Sequence, residues 1–172
     1  MKKYLPVLRT SPFFTGLDDN EILSVLHCVN ATVTTAPQGT YIFRAGDSTE
    51  VMGLVASGSA LVIQEDLWGH RNILTKCSTG DFFGEPYAAS PGSVLNISVQ
   101  AETDCEIILL NVQRLLITCP TACDHHQKLI RNLVSVLAAR LLAFNDKITH
   151  VGKRTTREKL LSYLSAESLR QG

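Results

Sequence analysis

Residues 31–110 decide the fold. They read as seven short β-rich runs: ATVTTA (31–36), TYIFR (40–44), VMGLVA (51–56), SALVIQE (59–65), NILTKC (72–77), ISVQA (97–101) and CEIILL (105–110). Gly, Pro, Asp and Ser clusters separate the runs at intervals of roughly ten residues. Short strands at that spacing predict an antiparallel sandwich or jelly roll; a parallel α/β sheet would interleave helices between them. Glycines fall where the chain must reverse. Gly39 precedes a run, Gly46 with Asp47 follows one, Gly58 divides two, and Gly69 lies in a hairpin. A residue without Cβ reaches positive φ there at little cost.

On the N-terminal side a helix is signalled. Asp18 and Glu21 have the spacing of a capping box, and Leu17 and Ile22 flank the cap as a hydrophobic staple. Ile22, Val25, Leu26 and Val29 then recur on one helical face. On the C-terminal side the period becomes helical after Asn111. VQRLLITC is short, and Pro120 suits the first turn of a second helix that the pattern carries to about Thr149. Within it Ile130, Val134, Leu137, Leu141, Phe144 and Ile148 alternate steps of four and three, the seam of a coiled coil. That seam predicts a homodimer, with Leu129, Leu133 and Leu142 widening the apolar surface so that one flank packs on the β-domain. Gly152 breaks the helix. Thr155 and Glu158 form another capping-box pattern, and Leu160, Leu161 and Leu164 mark a further amphipathic helix with no partner left in the sequence.

Composition bounds the function. The chain has 172 residues, 45% of them hydrophobic and 19% charged, which is globular rather than disordered. Basic and acidic residues number 16 each, so the chain as a whole is not a basic nucleic-acid binder. From Lys147 onward, however, Lys147, Lys153, Arg154, Arg157, Lys159 and Arg170 face only Glu158 and Glu167, as in a chain approaching a DNA-binding part. No apolar run reaches the ~18–20 residues of a membrane span, and the N-terminus lacks a signal-peptide pattern; the expected location is cytoplasmic. The five cysteines (Cys28, Cys77, Cys105, Cys119 and Cys123) are scattered and form no CxxC pair, the expectation being free thiols.

The capped helix, glycine-punctuated roll, coiled-coil helix and basic hinge, in this order, resemble the Crp/Fnr family of transcription regulators. The motifs are G-x6-G-x11-G at Gly39, Gly46 and Gly58, the turn GDFFGEP from Gly80 to Pro86, and HVGKRTTREKLLSYL from His150 to Leu164. The resemblance covers essentially the whole chain. It implies an α+β fold: a cyclic-nucleotide-binding-like β-roll sensor (1–118), a central dimerisation helix (119–150), and the hinge and first helix of a winged helix-turn-helix cut short (151–172). It also implies a non-enzymatic function: a homodimer that binds a small-molecule effector and reaches operator DNA through a missing C-terminal part.

In cyclic-nucleotide-binding members of that family an Arg-Ser or Arg-Thr pair ends the cassette after the Gly-Glu turn. Here Gly84 and Glu85 are present, but PYAASPGSVLNISVQA (86–101) contains no Arg or Lys, and Leu95 and Asn96 stand at the pair. A buried phosphate without a cation costs several kcal/mol, so the expected effector is not cAMP. Phe82, Phe83, Gly84, Glu85, Tyr87, Leu95 and Asn96 are the expected effector-binding residues, with Val94 beside them; Phe144 and Asn145 join them by alignment of the central helix. Two readings stay open for several of these positions. The apolar side chains either meet an effector or fill the core. Glu85 either contacts the ligand or accepts backbone N–H bonds. Arg71 either supplies a cation from the neighbouring strand or is a solvated hairpin charge.

Other chemistries fit less well. A cyclic-nucleotide module lacks its Arg. A soft-metal or redox sensor would use Cys119 and Cys123 with His125 and His126, but lacks a fourth spaced ligand. A cupin-like enzyme needs histidines on adjacent strands, and His27, His70, His125, His126 and His150 all lie outside the predicted strands. The expectation is neither cofactor nor metal.

Overall fold

The computed structural model describes residues 1–66, 68–116 and 124–171. Two compact units are distinguished, Met1–Leu133 and Val134–Gly172. The first begins with helical segments that the sequence pattern does not announce: single 3-10 turns at Lys2–Tyr4 and Pro12–Phe14 flank α1 (Leu5–Thr10). These pieces are too short for an apolar period to show. The helix expected at Asp18 is therefore the second, α2 (Asp19–Cys28). Its capping box is fully formed. Asp18 Oδ1 accepts from the N–H groups of Asn20 (2.8 Å) and Glu21 (2.9 Å), and Glu21 Oε2 accepts from Asp18 N–H at 2.8 Å.

All seven β-rich runs form strands. The strands are β1 (Thr32–Ala36), β2 (Tyr41–Phe43), β3 (Val51–Ser57), β4 (Ser59–Glu65), β5 (Arg71–Ser78), β6 (Phe82–Phe83), β7 (Ser98–Ala101) and β8 (Cys105–Asn111). Only β6 was not anticipated, since two residues carry no alternation. They make two antiparallel four-stranded sheets, ordered β1-β8-β3-β6 and β2-β7-β4-β5. Between the sheets lies a core of Val55, Phe83 and Ile107 from the first and Ala60, Val62, Cys77, Val99 and Ala101 from the second. The first sheet is buried on its other face too. Leu54 pairs with Phe82, whose ring meets Phe13 edge-on at 5.1 Å. Burial on both faces explains why VMGLVA and CEIILL read as nearly continuous apolar runs.

After β8 come α4 (Val112–Leu116) and α5 (Asp124–Val151). The expected start of the long helix at Pro120, with Cys119 and Cys123, lies outside the described residues. The helix ends at Val151, two residues past Thr149. Its first turns pack in the first unit. Leu129 and Leu133 are buried, Asn132 Nδ2 donates to the carbonyls of Phe13 and Thr15 (2.9 Å each), and Glu21 receives His125 at 2.8 Å and Lys128 at 3.3 Å.

In the second unit the remainder of α5 is followed by α6 (Thr156–Gln171). The expected break at Gly152 and the box at Thr155 are both present: Thr155 N–H donates to Glu158 Oε2 (3.0 Å), and Glu158 N–H donates to Thr155 Oγ1 (3.2 Å). Leu160, Leu161 and Leu164 are exposed on α6.

Gly53 shows how tightly the sheets close. A methyl group there would lie 2.1 Å from Cζ of Phe83. Gly53→Ala is expected to destabilise the chain by about 1–3 kcal/mol in urea denaturation through overpacking, with part of the loss recovered in Gly53→Ala/Phe83→Leu. An unchanged midpoint in the single variant would mean that the ring moves aside freely.

Candidate functional site

The candidate site is built on the turn that links β6 to β7. Gly84 opens it with φ +80°, and a side chain there would also collide with Phe43, whose Cε2 is 2.6 Å from the Cβ position. Backbone strain and lack of space therefore both demand glycine. The turn continues as α3 (Glu85–Ala89), in which Glu85 and Ala88 are fully buried. The segment after it is tied down at several points. Ser93 Oγ donates to the Tyr87 carbonyl (3.0 Å), Leu95 N–H to the Asp47 carbonyl (2.8 Å), Gly46 N–H to the Leu95 carbonyl (2.9 Å), and Ala45 N–H to Ser98 Oγ (3.0 Å).

The expected effector residues separate into four groups. Phe83, Leu95 and the half-buried Tyr87 pack in the inter-sheet cluster, joined by Phe43, whose ring meets Phe83 at 5.3 Å. Phe82 is turned to the opposite face, toward Phe13, because neighbouring residues of a strand point to opposite sides. Asn96 is exposed at the rim, where its Oδ1 accepts from the Tyr87 hydroxyl, and Val94 is exposed beside it. Phe144 and Asn145 belong to the second unit and are exposed on α5. The sequence reading missed Phe43 and Ile97 as parts of the interior cluster; period-two alternation in TYIFR and ISVQA was the available signal.

Among the described residues, no Lys or Arg is buried. Leu95, at the position where the resemblance leads one to expect Arg, is 2% exposed among apolar neighbours. Arg71 is committed elsewhere: Nε contacts Glu65 Oε1 at 3.0 Å, and Nη2 donates to Gln100 Oε1 at 2.8 Å. Gln100 alternates with the buried Val99 and Ala101, so this cluster sits on the outer face of its sheet. Burial pushes the Tyr87 phenol above its ordinary value, against the opposing effect of its bond to Asn96. No group of three or more metal-ligating side chains occurs among the described residues. Nor is any helix among them long and apolar enough to cross a membrane.

Residues 33–119 match the family described as the cyclic nucleotide-binding domain. The chain is similar to cyclic nucleotide-gated ion channel 18 of Arabidopsis thaliana: 33% identity over 122 residues, which are 64% of this chain and 17% of the channel. It is similar to the cyclic AMP receptor protein of Thermus thermophilus, with 28% identity over 166 residues, 96% of this chain and 73% of that protein. The crystal structure of the Thermus thermophilus catabolite activator protein superposes with a TM-score of 0.64 at 27% identity, covering 82% of this chain and 67% of that one.

The raised pKa of Tyr87 gives a pH dependence of definite sign. The folded state holds the phenol proton more tightly than the unfolded chain, so stability is intact below about pH 10, the ordinary tyrosine value, and declines as pH rises beyond it. Tyr87→Phe is expected to flatten that alkaline decline in urea midpoints measured from neutral pH upward. An equal decline in the variant would assign the effect to other groups.

Proposed function

We propose that this chain, which belongs to the cyclic nucleotide-binding domain family and has the effector-domain fold of Crp/Fnr-type regulators, is the sensing and dimerisation part of a transcription regulator answering to a small molecule other than cAMP. The observation that carries this reading is Leu95. A cyclic phosphate placed in the β-roll would meet a buried isobutyl group, with no Lys or Arg between Glu85 and Ala101. The uncompensated charge costs several kcal/mol. Arg71, held by Glu65 and Gln100, would have to give up both to help. An uncharged or partly aromatic effector is better suited to Phe83, Tyr87 and Leu95, with Glu85 and Asn96 as polar contacts.

Residues 1–118 would form the sensor, 119–150 the dimerisation helix, and 151–172 the start of the DNA-binding part. Four residues of the seam support this division: Val134, Leu141, Phe144 and Ile148 are 54–61% exposed in the single chain, and Ile130 and Leu137 lie partly open on the same helix. Covering side chains of this size yields ~1.5–3 kcal/mol each before the costs of association. An effector that binds one dimer geometry better than another would shift the population of the two and so reorient the operator-binding modules. The role is binding, not catalysis, and the setting is the cytoplasm.

Isothermal titration with cAMP and with cGMP is expected to show no saturable heat at micromolar ligand; micromolar binding of either would overturn the effector assignment. In sedimentation, the double substitution Leu137→Glu/Leu141→Glu is expected to turn a dimer into monomers. A double variant that stays dimeric would move the interface off this seam.

A further inference from the structure

A cavity of about 670 Å³ opens on the first unit where residues 48–50, the turn 91–93 and the start of α4 meet. None of its lining residues belongs to the inter-sheet cluster. Its walls are pinned from three sides. Ser48 bridges to Val94, and Val112 N–H donates to the Glu50 carbonyl at 3.0 Å. Asn111 Oδ1 accepts from Arg114 N–H at 2.8 Å, and Gln113 Nε2 donates to the Ala88 carbonyl at 2.6 Å. The backbone around a site held in this way is already ordered before a ligand arrives, which lowers the cost of binding.

The charge pattern of the lining is specific. Glu50 and Arg114 face one cavity, yet neither takes part in an ion pair among the described residues. A simple anion would suit Arg114 and be repelled by Glu50; a simple cation would meet the reverse. We propose that this cavity is a second small-molecule site and takes a zwitterion of the amino-acid class. Arg114 receives the carboxylate in the paired geometry a guanidinium favours, and Glu50 receives the ammonium. Asn111 and Gln113 each spend one end of the amide on the bonds above; the Asn111 NH2 and the Gln113 carbonyl oxygen remain for a polar ligand side chain. The volume falls within the ~300–1,000 Å³ of small-molecule sites. The site stands whether or not the β-roll interior takes an effector. It is nonetheless wired to the same turn, since Gln113 holds the Ala88 carbonyl and Ser93 holds that of Tyr87.

The test is an amide-shift NMR titration of the full chain with L-glutamine as probe. Saturable shifts are expected at residues 48–50, 92–93 and 111–114. N-acetyl-L-glutamine, which lacks the ammonium, and L-glutaminamide, which lacks the carboxylate, should each bind at least about tenfold more weakly. Glu50→Gln and Arg114→Gln, both at exposed positions, should remove binding while leaving the remaining amide spectrum in place. Absence of saturable shifts at these residues up to about 10 mM probe would overturn the proposal. So would equal binding of the charge-depleted analogues, or undiminished affinity in both variants.

Discussion

The ring of Phe83 occupies the space that any side chain at Gly53 would need, and much else depends on that contact. It lets a two-residue strand dock against β3, and it places the next residue, Gly84, against Phe43. From there the chain has one route available: a left-handed glycine, a single turn of helix, and a return through Leu95 across the loop after β2. The buried position of Glu85 and the rim position of Asn96 both follow from this geometry. An aromatic residue facing a glycine is thus the point from which the turn at Gly84 is hung.

A second constraint acts at Glu21. Its carboxylate completes the capping box of α2 and also receives His125 and Lys128 from the first turns of α5. The Asp18 N–H holds this carboxyl below the usual range; burial opposes the effect and Lys128 and His125 add to it. One side chain therefore closes a helix end and fastens a helix more than a hundred residues away. The amide of Asn132 repeats the device by capturing the carbonyls of Phe13 and Thr15, and Leu129 and Leu133 bury the apolar flank between these polar ties. From Val134 to Ile148 the helix is exposed nearly all round, and the residues with the coiled-coil spacing are among those left uncovered.

The β-roll was legible because its strands carry strong local signals. Branched and aromatic runs end at glycines with positive φ, and Gly39, Gly46, Gly58 and Gly69 all have it. The two capping boxes were legible for a similar reason, since an acid three residues after the cap is a pattern within a single turn. The site was legible only in part. Gly84, Glu85 and the lack of a cation near Leu95 could be read from order along the chain. That Phe82 and Phe83 serve opposite faces could not, because a two-residue strand has no period from which to assign its sides.

Sequence alone thus determined seven of the eight strands and the helices α2, α4, α5 and α6, in their order, because strand and cap patterns are set by neighbours a few residues apart. It also determined the charge content of the turn, because no folding event can place an Arg in a segment that has none. Tertiary structure decided where side chains went once these elements met. It committed Arg71 to Glu65 and Gln100, packed Leu95 into the core, and brought Glu50, Ser93 and Arg114 to one cavity from three separate stretches. Those outcomes depend on which strands become neighbours, and that is settled by how the whole apolar surface is buried.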